Sequence, residues 1–221
     1  MTTDIINETI TVMLVDDHPV VRNGYCRLLE STADIRVIAE ADDGETGCLL
    51  YQKYKPDVLI LDLNMAGGID GLETIRRIKA KDPNARILIF SMHNHETMVQ
   101  RALKTGATGY ITKQCGMNQM VKAIRLVKQG KIYIDPNIAS NMAANLTLND
   151  VSEDPLNTLT GREFQIFKLV AEGNSCAQIA EMISISPKTV GVHNANIMRK
   201  LKLRNIAQLV RMAINCNVTQ A

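Results

Sequence analysis

The 221-residue sequence predicts an alternating α/β domain with a doubly wound parallel sheet, followed by a small all-helical domain. Three observations carry that prediction. Short aliphatic runs alternate with amphipathic stretches five times between residues 11 and 130. The stretch Val58 to Leu61 is apolar at every residue, which fits a strand covered on both faces. After residue 157 the strand signals stop, and four helix starts follow in short succession.

Taken in order, Thr11 to Val15 reads as the first strand and ends in Asp16 and Asp17. His18-Pro19 opens a helix, because a first turn accommodates proline, and Val20, Val21, Leu28 and Leu29 give it an apolar side. Ile35 to Ala39 is the second strand, and the turn at Asp42, Asp43 and Gly44 leads into a helix reaching Tyr54. Val58 to Leu61 is the third strand, with Asp62 at its end. Asp70-Gly71 starts a helix with Leu72, Ile75 and Ile78 inward and Arg76, Arg77 and Lys79 outward. Arg86 to Ser91 is the fourth strand and His95 to Lys104 a shorter helix. Gly109 to Lys113 is the fifth strand, and Met117 to Gln129 is an amphipathic helix ended by Gly130. This is a flavodoxin-like five-stranded arrangement. Its strand order, 2-1-3-4-5, would bring the carboxyl ends of strands 1, 3, 4 and 5 to one switch point.

Composition narrows the function classes. No apolar run approaches the roughly 20 residues of a membrane span. Met1 to Glu8 has neither the basic region nor the apolar core of a signal peptide. Cys26, Cys48, Cys115, Cys176 and Cys216 are scattered without a CxxC pair, so neither a zinc site nor a disulfide framework is indicated. The cytoplasm is the expected compartment, with no membrane partner. Residues 155–221 hold eight Lys and Arg against three Glu, a surplus of +5, whereas the rest of the chain carries −3. A basic last part points to a polyanion.

The strand ends offer Asp16 and Asp17, then Asp62, then Ser91, then Lys113. Carboxylates beside an ammonium and a hydroxyl suit Mg²⁺ and a phosphoryl group, since Mg²⁺ takes oxygen ligands from one or two carboxylates, waters and phosphate. A carboxylate can itself attack phosphorus to form an aspartyl phosphate. Asp62 is central and is the expected nucleophile. Asp17 and Asp62 are the expected Mg²⁺ ligands, with Asp16 acting directly or through water and the backbone carbonyl of Asn64 as a further ligand. Lys113 and Ser91 would bind the phosphoryl oxygens. His93 and His95 read as a solvated loop rather than a metal site.

Leu14 to Pro19, Leu61 to Met65, Ser91, and Gly106-Ala107 with Gly109-Tyr110 and Lys113 together resemble the receiver domain of two-component response regulators. The resemblance covers about residues 11 to 130. It implies a switch in which Ser91 moves toward the phosphoryl group and Tyr110 turns inward. Two positions depart from the family pattern: Ala66 and Gln114 stand where many members have proline.

Asp135-Pro136 can start a linker helix, and residues 147 to 157 form a polar connection. The boundaries expected are 1–130 for the receiver, 131–157 for the linker and 158–221 for a four-helix domain. Thr160 with Glu163 and Ser175 with Gln178 are capping boxes, Ser186-Pro187 is an N-cap with proline at the first position, and Asn205 with Gln208 is a weaker start. In the third helix Val190, Ile197 and Leu201 make the buried stripe, opposite Lys188, Val192, Ala195 and Arg199. A short helix, a turn and a helix with a basic outer face form a helix-turn-helix, whose second helix enters the major groove.

The segment from Ala177 to Leu201 resembles the LuxR-type helix-turn-helix, and with the receiver the chain resembles the NarL/FixJ class of response regulators. That resemblance implies transcription regulation through promoter DNA, under a sensor histidine kinase or a small phosphodonor. Candidate DNA contacts are Lys188, Thr189, Val192, His193, Asn194, Asn196 and Arg199, with Lys200, Lys202 and Arg204 on phosphates. His193 reads equally well as a packed or phosphate-contacting residue. On the last helix, Ile206, Leu209, Val210 and Ala213 are divided between the core and a homodimer contact.

Two rival classes compete with this reading. A haloacid-dehalogenase-like phosphatase would need an acid two residues after Asp62, where Asn64 stands, so no enzyme is expected. A receiver serving only to dimerise would not need the full acid set.

Overall fold

The computed structural model describes residues 9–63, 65, 69–92, 96–148, 155–183, 185–216 and 218–219. The chain divides into two compact units, residues 1–92 with 102–136, and residues 93–101 with 137–221.

The first unit is built on a parallel sheet of β1 (Ile10–Val15), β2 (Ile35–Ala41), β3 (Val58–Leu61), β4 (Ile87–Ser91), β5 (Gly109–Thr112) and β6 (Tyr133–Ile134), in the order β2-β1-β3-β4-β5-β6. The five expected strands are present in the expected order. The sixth is a correction to the strand count. It is two residues long, too short to show a period, and it pairs with β5 at Gly109 and Tyr110. The intervening helices are α1 (Pro19–Glu30), α2 (Gly44–Tyr54), α3 (Gly71–Lys81) and α5 (Met117–Lys128); α4 (Glu96–Thr105) is divided between the two units, and α6 (Pro136–Leu148), which follows β6, falls in the second from Asn137 on.

One core combines Val12, Leu14, Val58, Ile60, Leu88, Phe90 and Ile111 of the strands with Cys26 and Leu29 of α1 and Met120, Ile124 and Val127 of α5. The alternate strand residues Met13, Val15, Leu59, Leu61, Ile87 and Ile89 are buried as well, as burial on both sheet faces requires. Polar ties close the amino end of the sheet, away from the switch point. Arg125 donates two hydrogen bonds of 2.8 Å to Asp34, and Thr11 and Lys128 both bind Asp57.

Gly71 begins α3 hard against the chain leaving β3. A Cβ there would stand 2.5 Å from the Asp62 carbonyl, so only glycine lets the helix start this close to the end of β3.

The second unit has a 3₁₀ turn at Pro155–Thr158, then α7 (Gly161–Ala171), α8 (Cys176–Met182), α9 (Pro187–Lys200) and α10 (Ile206–Asn215). All four expected caps are made. Thr160 and Ser175 complete capping boxes with Glu163 and Gln178, and Ser186 and Asn205 accept from the N–H groups of Thr189 and Gln208. Each satisfies backbone donors that a short helix leaves open. Phe164, Phe167, Ile179, Val190, Ile197, Leu209 and Ala213 are buried in its core. Among the described residues no helix is long and apolar enough to cross a membrane.

Candidate functional site

Adjacent parallel strands in register bring their carboxyl ends to one level. Asp62 leaves β3 with its N–H donated to the Val15 carbonyl, Asp16 follows β1 with its N–H on Ala41, and Lys113 follows β5 with its N–H on Ser91. The backbone thus fixes the three charged groups before any side-chain contact is made. The Lys113 ammonium lies 2.7 Å from Asp62 Oδ2 and 2.7 Å from Asp16 Oδ2. All three side chains are at least 95% buried, so the interaction runs at low dielectric. Burial alone would lower the Lys113 pKa, but the two carboxylates outweigh it and hold the ammonium above its ordinary value.

Asp16, Asp17, His18 and Asp62 offer ligand atoms within 4.8 Å of one another. Their oxygens fit a hard divalent cation, which needs convergent carboxylates that still leave room for water and phosphate. His18 was not among the residues expected here. Its Nδ1 stands 2.7 Å from Asp17 Oδ1 and 3.2 Å from Asp16 Oδ1, and its N–H donates to Asp16 Oδ1. The only sequence signal was its adjacency to the acid pair. Arg22, also unexpected, donates to the Asp16 carbonyl at 2.6 Å.

Ser91 and Tyr110 are fully buried and their hydroxyls share a hydrogen bond. Tyr110 therefore has its ring turned inward, and burial pushes its phenol pKa well up. Behind Lys113, Tyr25 donates to its carbonyl at 3.3 Å and packs edge-on against Phe90. Asn64, Ala66, His93 and His95 lie outside the described residues.

On α9, Lys188, Thr189, Val192 and Arg199 are exposed, as are Gly191 and Ala195 between them. Lys202, just past the helix, is exposed as well. His193 and Asn194 are half-buried on the flank. Burial, and then the Arg162 guanidinium, lower the His193 pKa. Asn196 accepts a hydrogen bond from Arg199 at 3.0 Å.

Two expectations are corrected here. The Lys200 ammonium, expected on phosphate, lies 2.5 Å from the buried carboxylate of Glu163. Leu209 and Ala213 are wholly buried in the domain core, whereas on α10 Ile206 and Ile214 are exposed and Val210 is half-buried. The α10 sequence pattern is apolar on two sides, and periodicity alone does not say which side the small core takes.

An acid cluster with a buried lysine at the carboxyl end of a parallel sheet, joined to a helix-turn-helix unit, defines a receiver coupled to a DNA-binding domain. The chain belongs to that family: residues 12–125 match the response regulator receiver domain, and residues 157–213 match the bacterial regulatory proteins of the luxR family. It is 38% identical over 199 residues to the nitrate/nitrite response regulator protein NarL of Escherichia coli, covering 90% of this chain and 92% of that one. It is 35% identical over 208 residues to the oxygen regulatory protein NreC of Staphylococcus carnosus, covering 92% and 96%.

Among solved structures, a LuxR-family response regulator from Aurantimonas sp. superposes with a TM-score of 0.61 at 39% identity, over 63% of this chain and 99% of that one. RcsB from Salmonella enterica serovar Typhimurium, bound to promoter rprA with a phosphomimetic, superposes with a TM-score of 0.62 at 26% identity, over 92% and 98%. The protein is a two-component response regulator of the transcription-regulating, DNA-binding kind, and the family is not one of enzymes.

Proposed function

We propose that Asp62 is the phosphoacceptor and that its phosphorylation switches sequence-specific promoter binding by the C-terminal domain. The observation that carries this is the Lys113 ammonium at 2.7 Å from both Asp62 and Asp16, which ties the ends of β1, β3 and β5 into one charged cluster. An Asp62 oxygen attacks phosphorus of a phosphohistidine on a sensor histidine kinase, or of a small phosphodonor. The bond from phosphorus to the leaving group breaks, and the leaving atom keeps the electron pair and takes a proton from solvent.

Asp16, Asp17 and Asp62 would hold Mg²⁺, with the Asn64 carbonyl as a further ligand by its sequence position. When bound, the ion neutralises charge on the transferring phosphoryl group. Lys113 leaves Asp62 for a phosphoryl oxygen, and Ser91 with Tyr110 follows the new group. The added charge of roughly −1.5 to −2 biases the two-state surface around β4 and β5.

On this basis residues 1–130 are the receiver, 131–157 the linker and 158–221 the DNA-binding domain, acting in the cytoplasm where promoter DNA lies. The exposed Lys188, Thr189, Val192 and Arg199 support α9 as the recognition helix, with Asn196 beside them and Lys202 on phosphate. The exposed Ile206 and Ile214 and the half-buried Val210 of α10 support a homodimer on inverted half-sites, and dimers of the relative RcsB are described bound to DNA.

Promoter binding by wild-type protein and by Asp62→Asn, each with and without a small phosphodonor and Mg²⁺, tests the proposal. The wild type should tighten its binding at least about tenfold with phosphodonor, a coupling in the usual range for such switches, while the variant should not respond. A wild type indifferent to phosphodonor refutes the switch.

A further inference from the structure

The chain itself accounts for most of its described glycines. At Gly44, Gly71 and Gly109 a Cβ would stand less than 3.0 Å from neighbouring atoms, while Gly106, Gly130 and Gly173 have positive φ. Gly191 meets neither condition. It is the fifth residue of α9, its backbone is helical, and apart from its chain neighbours and the adjoining backbone of its own helix no described heavy atom lies within 4 Å of the place its Cβ would take. Gly24 in α1 and Gly116, the residue before α5, are open in the same way.

A glycine inside a helix lowers stability relative to alanine, because the unfolded chain has more freedom to lose. At Gly191 the missing side chain leaves the helix backbone open to a surface outside the chain that approaches it closely. The neighbours indicate which surface this is. Lys188 and Arg199 are exposed on the same side of α9, and Val192, next in sequence, leaves more than half of its surface in water. An apolar side chain exposed between two cations matches the major groove, where thymine presents a methyl group among acceptors and phosphates flank the base edges.

We propose that Gly191 is a specificity-determining residue of the DNA interface. Its missing Cβ lets α9 sit deeper in the major groove, and this depth brings the Val192 isopropyl group against the 5-methyl of a thymine in each half-site. The proposal rests on α9 being the recognition helix. It assigns sequence reading at that position to apolar contact, with Lys188 and Arg199 supplying charge.

The test uses full-length protein with a small phosphodonor. The wild type first enriches duplexes from a random pool, and the most enriched duplex, fluorescein-labelled, then serves as the anisotropy probe. Gly191→Ala should melt at the same or a higher temperature yet bind this duplex about tenfold more weakly, in the range of one lost base contact. Replacing the selected thymine by uracil should weaken wild-type binding about fourfold, the worth of one buried methyl group, and should leave Val192→Ala unchanged. Gly191→Ala binding within about twofold of wild type overturns the proposal, even if Arg199→Ala binds weakly and α9 is thereby upheld as the recognition helix. If the wild type enriches no duplex, or Lys188→Ala and Arg199→Ala bind like wild type, the recognition-helix assignment falls and takes the proposal with it.

Discussion

Replacing Lys200 by alanine should damage the fold of the DNA-binding domain rather than its contact with phosphate. Glu163 is buried and takes the Thr160 N–H at 2.7 Å as one half of a capping box. Burial on its own would raise the Glu163 pKa, yet the Lys200 ammonium and the Thr160 bonds outweigh it and keep the carboxyl below its ordinary range. Without Lys200 the carboxylate stays in the core of α7 and α9 with its strongest partner gone. A hydrogen bond to a charged group contributes about 1.5–3 kcal/mol, and breaking a fully buried pair costs about 3–5 kcal/mol. Because the Lys200 side chain keeps 32% of its exposure, water recovers part of the loss, and roughly 2 kcal/mol is the expected cost.

That corresponds to about 30-fold faster amide exchange in α7 and α9, read by hydrogen-exchange mass spectrometry on the full-length protein. The salt dependence of DNA binding should keep its slope, whereas loss of a phosphate contact would reduce that slope by about one. Unchanged exchange together with a reduced slope would refute the reasoning and return Lys200 to the DNA interface.

Further predictions follow from the same geometry. Lys113→Ala leaves the buried Asp16 and Asp62 carboxylates without their ammonium, so the receiver should melt several degrees lower in EDTA and gain more from added Mg²⁺ than wild type does; equal melting in EDTA would contradict this. His193 has a depressed pKa, so its neutral form favours the fold above about pH 6.5 and that contribution is lost as pH falls toward the folded value. With intrinsic exchange rates divided out, the protection of α9 amides should fall between pH 7 and pH 5 in wild type and less in His193→Gln. Val20 stands 86% exposed at the start of α1, beside the acid cluster, where a protein phosphodonor must dock. Val20→Asp should slow phosphorylation by the kinase about tenfold while leaving that by a small phosphodonor unchanged, measured by phosphate-affinity gel shift.

The order of the five longer strands and their helices was legible in the sequence, because β1, β3 and β4 are aliphatic runs and α2, α3 and α7 to α10 each begin at a side chain that caps them. Asp16, Asp17, Asp62 and Lys113 could be named from strand ends alone, since in-register parallel strands deliver their carboxyl ends to one edge whatever lies between them. The stripe of Val190, Ile197 and Leu201 was legible for a similar reason, as helical period is a local property.

Matters that depend on which surface meets which were settled by long-range packing. Tyr133–Ile134 is a strand because the β5 edge is there to pair with it, not because two residues carry a pattern. Leu209 and Ala213 are core, and Ile206 is not, because α7 covers one side of a helix whose sequence is apolar on two. Lys200 looks like any basic residue on a DNA-binding helix until Glu163, 37 positions earlier, is found buried beneath it. Charge is written in the sequence, but the partner that neutralises it is chosen by long-range packing, and that is where fold and site part company.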